Sequence, residues 1–330
     1  MKCIRDLRLA FIGVSHWHVP LYLYQAESDG LSIVAASDPD RGIVDRFAHE
    51  RRCAAYADHL RLLDEVKLDF VFAFAPHDQM VELALELIRR GIPFAIEKPL
   101  GLNTEDVAAV RAAAEKVGVF CAIPFIWRYS GFVADFKQSV RPEDVLHLSF
   151  KFVAGPPHRY VATSPWMLDS KRCGGGCMTN LGVHFIDLAL NLTESAGAGV
   201  LGAAYHHASE YNIETYASAL LRLSSGATVE METGYAYPMD ERDRRDNRWN
   251  ITLKDGYFTL GGGILEKRLY NRATERIAMN TDSDVYYAEF VRITLEDCLT
   301  GRTPRAGLPE MERVRVVLDA INAVAGGAQR

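Results

Sequence analysis

This sequence is short of basic charge, long hydrophobic runs and cysteine, and each shortage removes a class of protein. Its 37 Lys and Arg stand against 43 Asp and Glu, a net charge of −6, so it lacks the basic surplus of a nucleic-acid binder. No apolar run approaches the roughly 18 residues that a membrane-spanning helix needs; the longest clear one, residues 70–75, is strand-sized. Six cysteines (Cys3, Cys53, Cys121, Cys173, Cys177 and Cys298) in 330 residues are too sparse for a disulfide scaffold. The opening MKCIRDLRLAFIG shows no signal-peptide apolar region or cleavage site and enters directly into what reads as a strand. The expectation is a reduced cytoplasmic enzyme without nucleic-acid or membrane partners. What is present is ordinary: 48% hydrophobic and 24% charged residues is the make-up of a soluble globular protein. At about 150 residues per domain the length suggests two domains.

The first 123 residues alternate strand and helix patterns. Residues 7–12, 31–37, 69–75, 93–96 and 120–123 read as strands. Residues 69–75 (DFVFAFA) are aromatic and β-branched without alternation, as in a strand buried on both faces. Between them helical spacing runs over residues 17–27, from Asp38-Pro39-Asp40 toward Glu50, from Asp58, from a cap at Asp78 to Gly91, and from a cap at Thr104 to Gly118. Repeated strand–helix–strand units predict an α/β, Rossmann-type doubly wound parallel sheet. Beyond Ile123-Pro124 the pattern changes. Residues 214–223 and 227–237 meet at Ser224-Ser225-Gly226, and residues 249–253 and 257–260 at Lys254-Asp255-Gly256. Such pairs are hairpins of an antiparallel sheet. Helical spacing persists over residues 180–192, 284–299 and 309–324. The boundary separates residues 1–123 from residues 124–330.

Three fragments carry chemistry. The turn Gly13-Val14-Ser15-His16-Trp17-His18 follows the first strand, where a dinucleotide fold wants a glycine, a small residue and a third compact one. Only Gly13 is glycine; an ordinary strand-to-helix turn reads the same way, but its position offers free N–H groups to a phosphate. Asp38 ends the second strand, where a carboxylate accepts hydrogen bonds from both ribose hydroxyls and repels a 2′-phosphate. That favours NAD over NADP, although Arg41 follows closely and Asp38 could instead cap the next helix. Lys98, in Glu97-Lys98-Pro99, falls at the carboxyl edge of the sheet, the ligand side of such folds, although a lysine between an acid and a proline is otherwise an ordinary surface residue. After Gly174-Gly175-Gly176, the residues Asn180, His184, Asp187 and Asn191 share one helix face. This stripe is either a solvated edge or, lacking Lys, Glu and Arg, a row suited to hold hydroxyl groups. His16-x-His18 and Cys173-x-x-x-Cys177 each offer two ligands where a structural zinc needs four, so no metal is expected. His206 and His207 would point to opposite faces of a strand.

Gly13, Asp38, Glu97-Lys98-Pro99-Leu100-Gly101, Phe125-Ile126-Trp127-Arg128, Pro165-Trp166 with Asp169, and GGG…Asn180-x-Gly182-x-His184-x-x-Asp187 together resemble the glucose–fructose oxidoreductase/inositol dehydrogenase (Gfo/Idh/MocA) family. The resemblance runs over nearly the whole chain. It implies an NAD(P)-dependent dehydrogenase or reductase of a sugar, cyclitol or related polyol. It also implies a second α/β domain whose large open sheet commonly serves oligomerisation, hence a homodimer or homotetramer. Lys98 and His184 become the catalytic lysine and acid/base, with Asn180 beside them. Gly13, Ser15, His18, Asp38, Pro76, Glu97 and Lys98 would seat the cofactor, and Arg128, Trp166, Asp169 and Asp187 would line the substrate pocket. The chain departs from the family at Asn180, usually aspartate, at Ser15 and His18, and at Met80, where a histidine is usual. The mechanism implied is hydride transfer from a secondary alcohol, with His184 taking the hydroxyl proton and Lys98 stabilising charge on the oxygen. An NAD-dependent glycosidase and a catalytically silent NAD-binding regulator are the alternatives.

Overall fold

Short apolar runs that cannot alternate form parallel strands with both faces covered. In the computed structural model, which describes residues 3–208, 210–238 and 245–327, these are β1 (Arg8–Ile12), β2 (Ser32–Ser37), β3 (Ala54–Tyr56), β4 (Phe70–Ala73), β5 (Phe94–Ile96) and β6 (Cys121–Ala122). They form one parallel sheet in the order β3-β2-β1-β4-β5-β6, the Rossmann order, which reverses between β1 and β4. The sequence reading missed β3, because its three residues are too short to show a period.

Two of the expected helix caps shift by one or two residues. Asp40, not Asp38, caps the helix Arg41–Arg51 by accepting the Ile43 N–H at 3.1 Å. Asn103, not Thr104, caps Thr104–Val117, its side chain accepting the Asp106 N–H at 2.9 Å. In both cases neighbouring cap-formers compete, and the residue with extended backbone just outside the first turn wins. Asp78 does not cap either: it sits inside the tight turn His77–Gln79 that leads into the helix Met80–Arg89.

The chain divides into two compact units. The first, up to Pro124, also takes in Ala162–Trp166 and Asp284–Glu312. Within it the helix Tyr286–Thr300 sets Tyr287 and Phe290 against Tyr22, ring centroids 5.1 and 5.7 Å apart. The Ile123 N–H bonds the Ala306 carbonyl at 3.0 Å beside the edge strand β6.

The second unit comprises Phe125–Val161, Met167–Ser283 and the chain from Arg313 onward. Its strands are β7 (Val145–Ala154), β8 (Ala198–His206), β9 (Tyr216–Leu223), β10 (Thr228–Gly234), β11 (Arg245–Leu253), β12 (Gly256–Gly261), β13 (Ile264–Leu269) and β14 (Glu275–Ala278). They make one sheet in the order β14-β13-β12-β11-β7-β10-β9-β8, antiparallel except for the central pair β7 and β10. Both expected hairpins are present. β8 ends at His206, so the alternation argument does not extend to His207. Trp127, Phe150, Phe185 and Trp249 build the core on one sheet face, with Trp127 and Trp249 edge-to-face at 4.6 Å. Among the described residues no helix is long and apolar enough to cross a membrane.

The expected helix over residues 180–192 is α-helical only over Val183–Leu192; a π-helical turn, Met178–Gly182, precedes it. The strict four-residue spacing from Asn180 therefore does not hold. Asn180 and Asp187 are buried, which excludes a solvated edge for this part of the stripe.

Candidate active site

At the carboxyl edge of the parallel sheet, the turn after β1 closes on the end of β4. Gly13 has φ +82°, and a Cβ there would lie 2.0 Å from the Phe74 carbonyl oxygen, so only glycine fits. The next turn is tied to β2: the Ser15 N–H donates to Asp38 Oδ2 at 2.7 Å and the Asp40 N–H to Asp38 Oδ1 at 2.9 Å. A carboxylate has about four lone-pair sites, so Asp38 keeps capacity for a diol while holding the turn. Arg41, the residue that could welcome a 2′-phosphate, is paired with Asp45 at 3.1 Å on its own helix. An acceptor with capacity to spare at the end of β2 fits the ribose diol in the adenosine half of NAD. Pro76 precedes the tight turn after β4, and its carbonyl accepts the Gln79 N–H at 2.9 Å. Met80, the residue in the usual histidine position, is fully buried.

Lys98 follows β5 and is buried over a polar network. Glu97 accepts the Tyr22 hydroxyl at 2.7 Å, the Lys98 N–H at 3.2 Å, and the His18 Nδ1–H at 3.0 Å. The Tyr287 hydroxyl lies 3.4 Å from the same His18 nitrogen. Burial alone would raise the Glu97 carboxyl, but His18 and Lys98 outweigh it and hold the group well below the usual carboxylate range. Burial lowers Lys98 to about 8, against the opposing pull of Glu97 and Asp284. Burial likewise pushes His18 down, with Glu97 opposing, and pushes His16 well down, assisted by His18. The His18 ring is thus turned into this network, and its backbone N–H donates to His16 Nδ1 at 3.2 Å. Trp166 packs in the same unit, its ring 5.8 Å from His16 and 4.8 Å from His77. Among the described residues no group of three His, Cys, Asp or Glu side chains could hold a metal ion.

In the second unit, Arg128 and Asp187 engage each other. Nε and Nη2 of the arginine donate to the two carboxylate oxygens at 2.8 and 2.7 Å, a buried bidentate pair. It ties the turn Ile126–Tyr129 to the helix Val183–Leu192 that carries His184. The His184 ring stands edge-on to Phe125 with centroids 6.4 Å apart. Asp169 caps the short helix Ser170–Cys173, accepting the Lys171 N–H at 3.1 Å.

Sequence reasoning missed Glu214, Tyr160 and Tyr235. Glu214 takes three successive N–H groups at the start of the π turn: Gly176 and Met178 on its carboxylate at 2.6 and 3.0 Å, and Cys177 on its carbonyl at 3.1 Å. These are donors that a helix start leaves unsatisfied. Burial raises the Glu214 carboxyl, while the Gly176 and Met178 bonds pull it back. Gly176 follows from this approach, since a Cβ there would lie 1.9 Å from the Glu214 carbonyl oxygen. One turn on, the Asn180 amide donates to the Tyr160 and Tyr235 hydroxyls at 3.1 and 2.9 Å. A lone acid in NIETYASAL and two scattered tyrosines leave no periodic signal; only the fold assembles them.

Residues 7–125 match the oxidoreductase family with an NAD-binding Rossmann fold, and residues 143–259 match the GFO/IDH/MocA C-terminal domain. The chain is similar to the scyllo-inositol 2-dehydrogenase (NAD(+)) of Bacillus subtilis (strain 168), 22% identical over 244 residues that cover 70% of this chain and 67% of that protein. An oxidoreductase from Agrobacterium radiobacter, solved in complex with NAD+, L-tartaric acid and magnesium, has the same fold. Its TM-score is 0.85 at 16% identity, over 98% of this chain and 97% of that one. A levoglucosan dehydrogenase in complex with NADH and levoglucosan gives a TM-score of 0.84 at 12% identity over 97% of each chain. With its nucleotide-binding sheet and its C-terminal domain both matched, the chain belongs to the GFO/IDH/MocA family of NAD-binding oxidoreductases.

Proposed function

We propose that this protein is an NAD-dependent dehydrogenase of a secondary hydroxyl on a sugar, cyclitol or related polyol. The observation that carries the reading is Lys98, a buried amine lowered to about 8 at the carboxyl edge of an NAD-binding sheet. Bound NAD supplies the hydride acceptor. Lys98, protonated, donates to the reacting oxygen and stabilises the negative charge that develops there. His184 accepts the hydroxyl proton. The Arg128–Asp187 pair fixes the helix that carries His184 rather than meeting substrate directly. Asp38 reads the ribose diol, and Arg41, occupied by Asp45, gives no welcome to a 2′-phosphate, so NAD is preferred over NADP.

Residues 1–123 carry the cofactor contacts, and residues 124–330 the substrate contacts and the surface for self-association as a homodimer or homotetramer. Six free cysteines suit the reducing cytoplasm. A panel of aldoses, inositols and sugar acids with NAD, followed by NADH absorbance, tests the assignment. Steady NADH formation supports it. Release of an aglycone without net NADH would make the protein a glycosidase, and NAD binding without turnover a regulator.

A further inference from the structure

We propose that Arg159 binds an anionic group of the substrate, a carboxylate or a phosphate, so that charged sugars are favoured over neutral ones. This rests on the dehydrogenase reading above and names its substrate class more closely.

β7 and β10 run parallel, in register from Thr228 opposite His147 to Gly234 opposite Val153. Their carboxyl ends therefore open on the same side. From the end of β7 the chain passes through Gly155 and Pro156 into the tight turn Pro157–Tyr160, and Tyr235 follows β10 directly. Arg159, Tyr160 and Tyr235 gather there. The Arg159 guanidinium carbon lies 4.7 Å from the centre of the Tyr160 ring and 5.3 Å from that of Tyr235. One of its terminal nitrogens donates to the Tyr160 hydroxyl at 2.7 Å. That hydroxyl in turn accepts from the Asn180 amide at 3.1 Å, so two hydrogen bonds link the guanidinium to the start of the helix that carries His184.

Stacking on two rings fixes the plane of a side chain that is otherwise long and mobile, and so reduces the entropy lost when its fork binds a ligand. A guanidinium carries five N–H donors, and the one hydrogen bond to Tyr160 leaves most of them. Among the described residues no carboxylate lies within ion-pair distance of Arg159, which is half-buried. Other buried or half-buried arginines are matched with acids: Arg128 with Asp187, Arg90 with Glu86, Arg315 with Asp319. An oriented, partly desolvated fork without an acid is suited to two oxygens of an incoming anion.

The experiment pairs a hexuronate and a hexose 6-phosphate with the parent hexose, in the gluco, galacto and manno series. kcat and KM are measured with saturating NAD for the unmodified protein, Arg159→Gln and Arg159→Lys. The expected result is a preference for one anionic sugar over its neutral parent, and the preferred anion tells carboxylate from phosphate. Arg159→Gln should reduce that preference by about 10- to 100-fold, the range of a charge-assisted pair, chiefly through KM. Arg159→Lys, which keeps the charge but not the fork, should fall between and stands in if the glutamine variant does not fold. Calorimetric binding of the same sugars to the NADH-bound protein, which cannot oxidise them, reads the same ratio without turnover. Absence of turnover would then overturn the dehydrogenase reading alone. A neutral sugar bound as well as its charged counterparts, or an anion preference unchanged in both variants, would overturn the role of Arg159.

Discussion

Lys98 sits under two opposed fields, burial that favours the neutral amine and the Glu97 carboxylate that favours the ammonium, and burial wins. If Lys98 must be protonated to donate to the substrate oxygen, kcat/KM for alcohol oxidation should fall as pH rises through about 8. Glu97→Gln removes the field that raises Lys98, so the same limb should move to lower pH. A limb that stays or moves upward means another group titrates there. Asp38 gives a second test at this scale. It accepts two backbone N–H groups at the end of β2; in its proposed role it also meets the ribose diol, so the unmodified enzyme should prefer NAD, and Asp38→Ala should narrow the preference. Equal catalytic efficiency with NAD and NADP before any substitution would count against that role.

Among the elements, the join between the glycine run and the helix of His184 depends on one residue from elsewhere in the chain. Glu214→Ala would leave the Gly176 and Met178 N–H groups buried without their acceptor. At about 1–3 kcal/mol for each such group, urea unfolding should show a loss of about 2–6 kcal/mol. A loss below about 1 kcal/mol would mean that water or a backbone shift replaces the carboxylate. This join also marks how far the sequence could be read. The parallel strands, the hairpins and Lys98 at a strand end were legible, because burial on both faces, alternation and turn residues leave local patterns. β3 was too short for a pattern, and Asn103 and Thr104 both spell a cap. The π turn left no local pattern, and Glu214, which takes the N–H groups at its start, lies more than thirty residues away. The same holds for the partner of Arg128: the sequence named both Arg128 and Asp187 but could not show that they satisfy each other.

Over the whole molecule, the second sheet has one face under aromatic side chains and one that, among the described residues, is not covered within its unit. β9 alternates buried Ala217, Ala219, Leu221 and Leu223 with exposed Ser218, Leu220 and Arg222. Tyr257 and Ile264 are exposed on β12 and β13. If this face is the self-association surface, light scattering should find a dimer or tetramer, and Leu220→Glu with Tyr257→Glu should yield smaller particles with an unchanged far-UV spectrum. A monomeric unmodified protein would remove the sheet from that role. The return of Asp284–Glu312 to the first unit bears on how the chain is made. The parallel sheet leaves the ribosome before Tyr287 and Phe290, which close against Tyr22 and the His18–Glu97 network and come about 160 residues later. At about 5–20 residues per second, the nascent nucleotide-binding unit spends roughly ten seconds or more with that aromatic surface open to chaperones. A premature stop before residue 284 would strip packing from the nucleotide-binding unit as well as shorten the second unit.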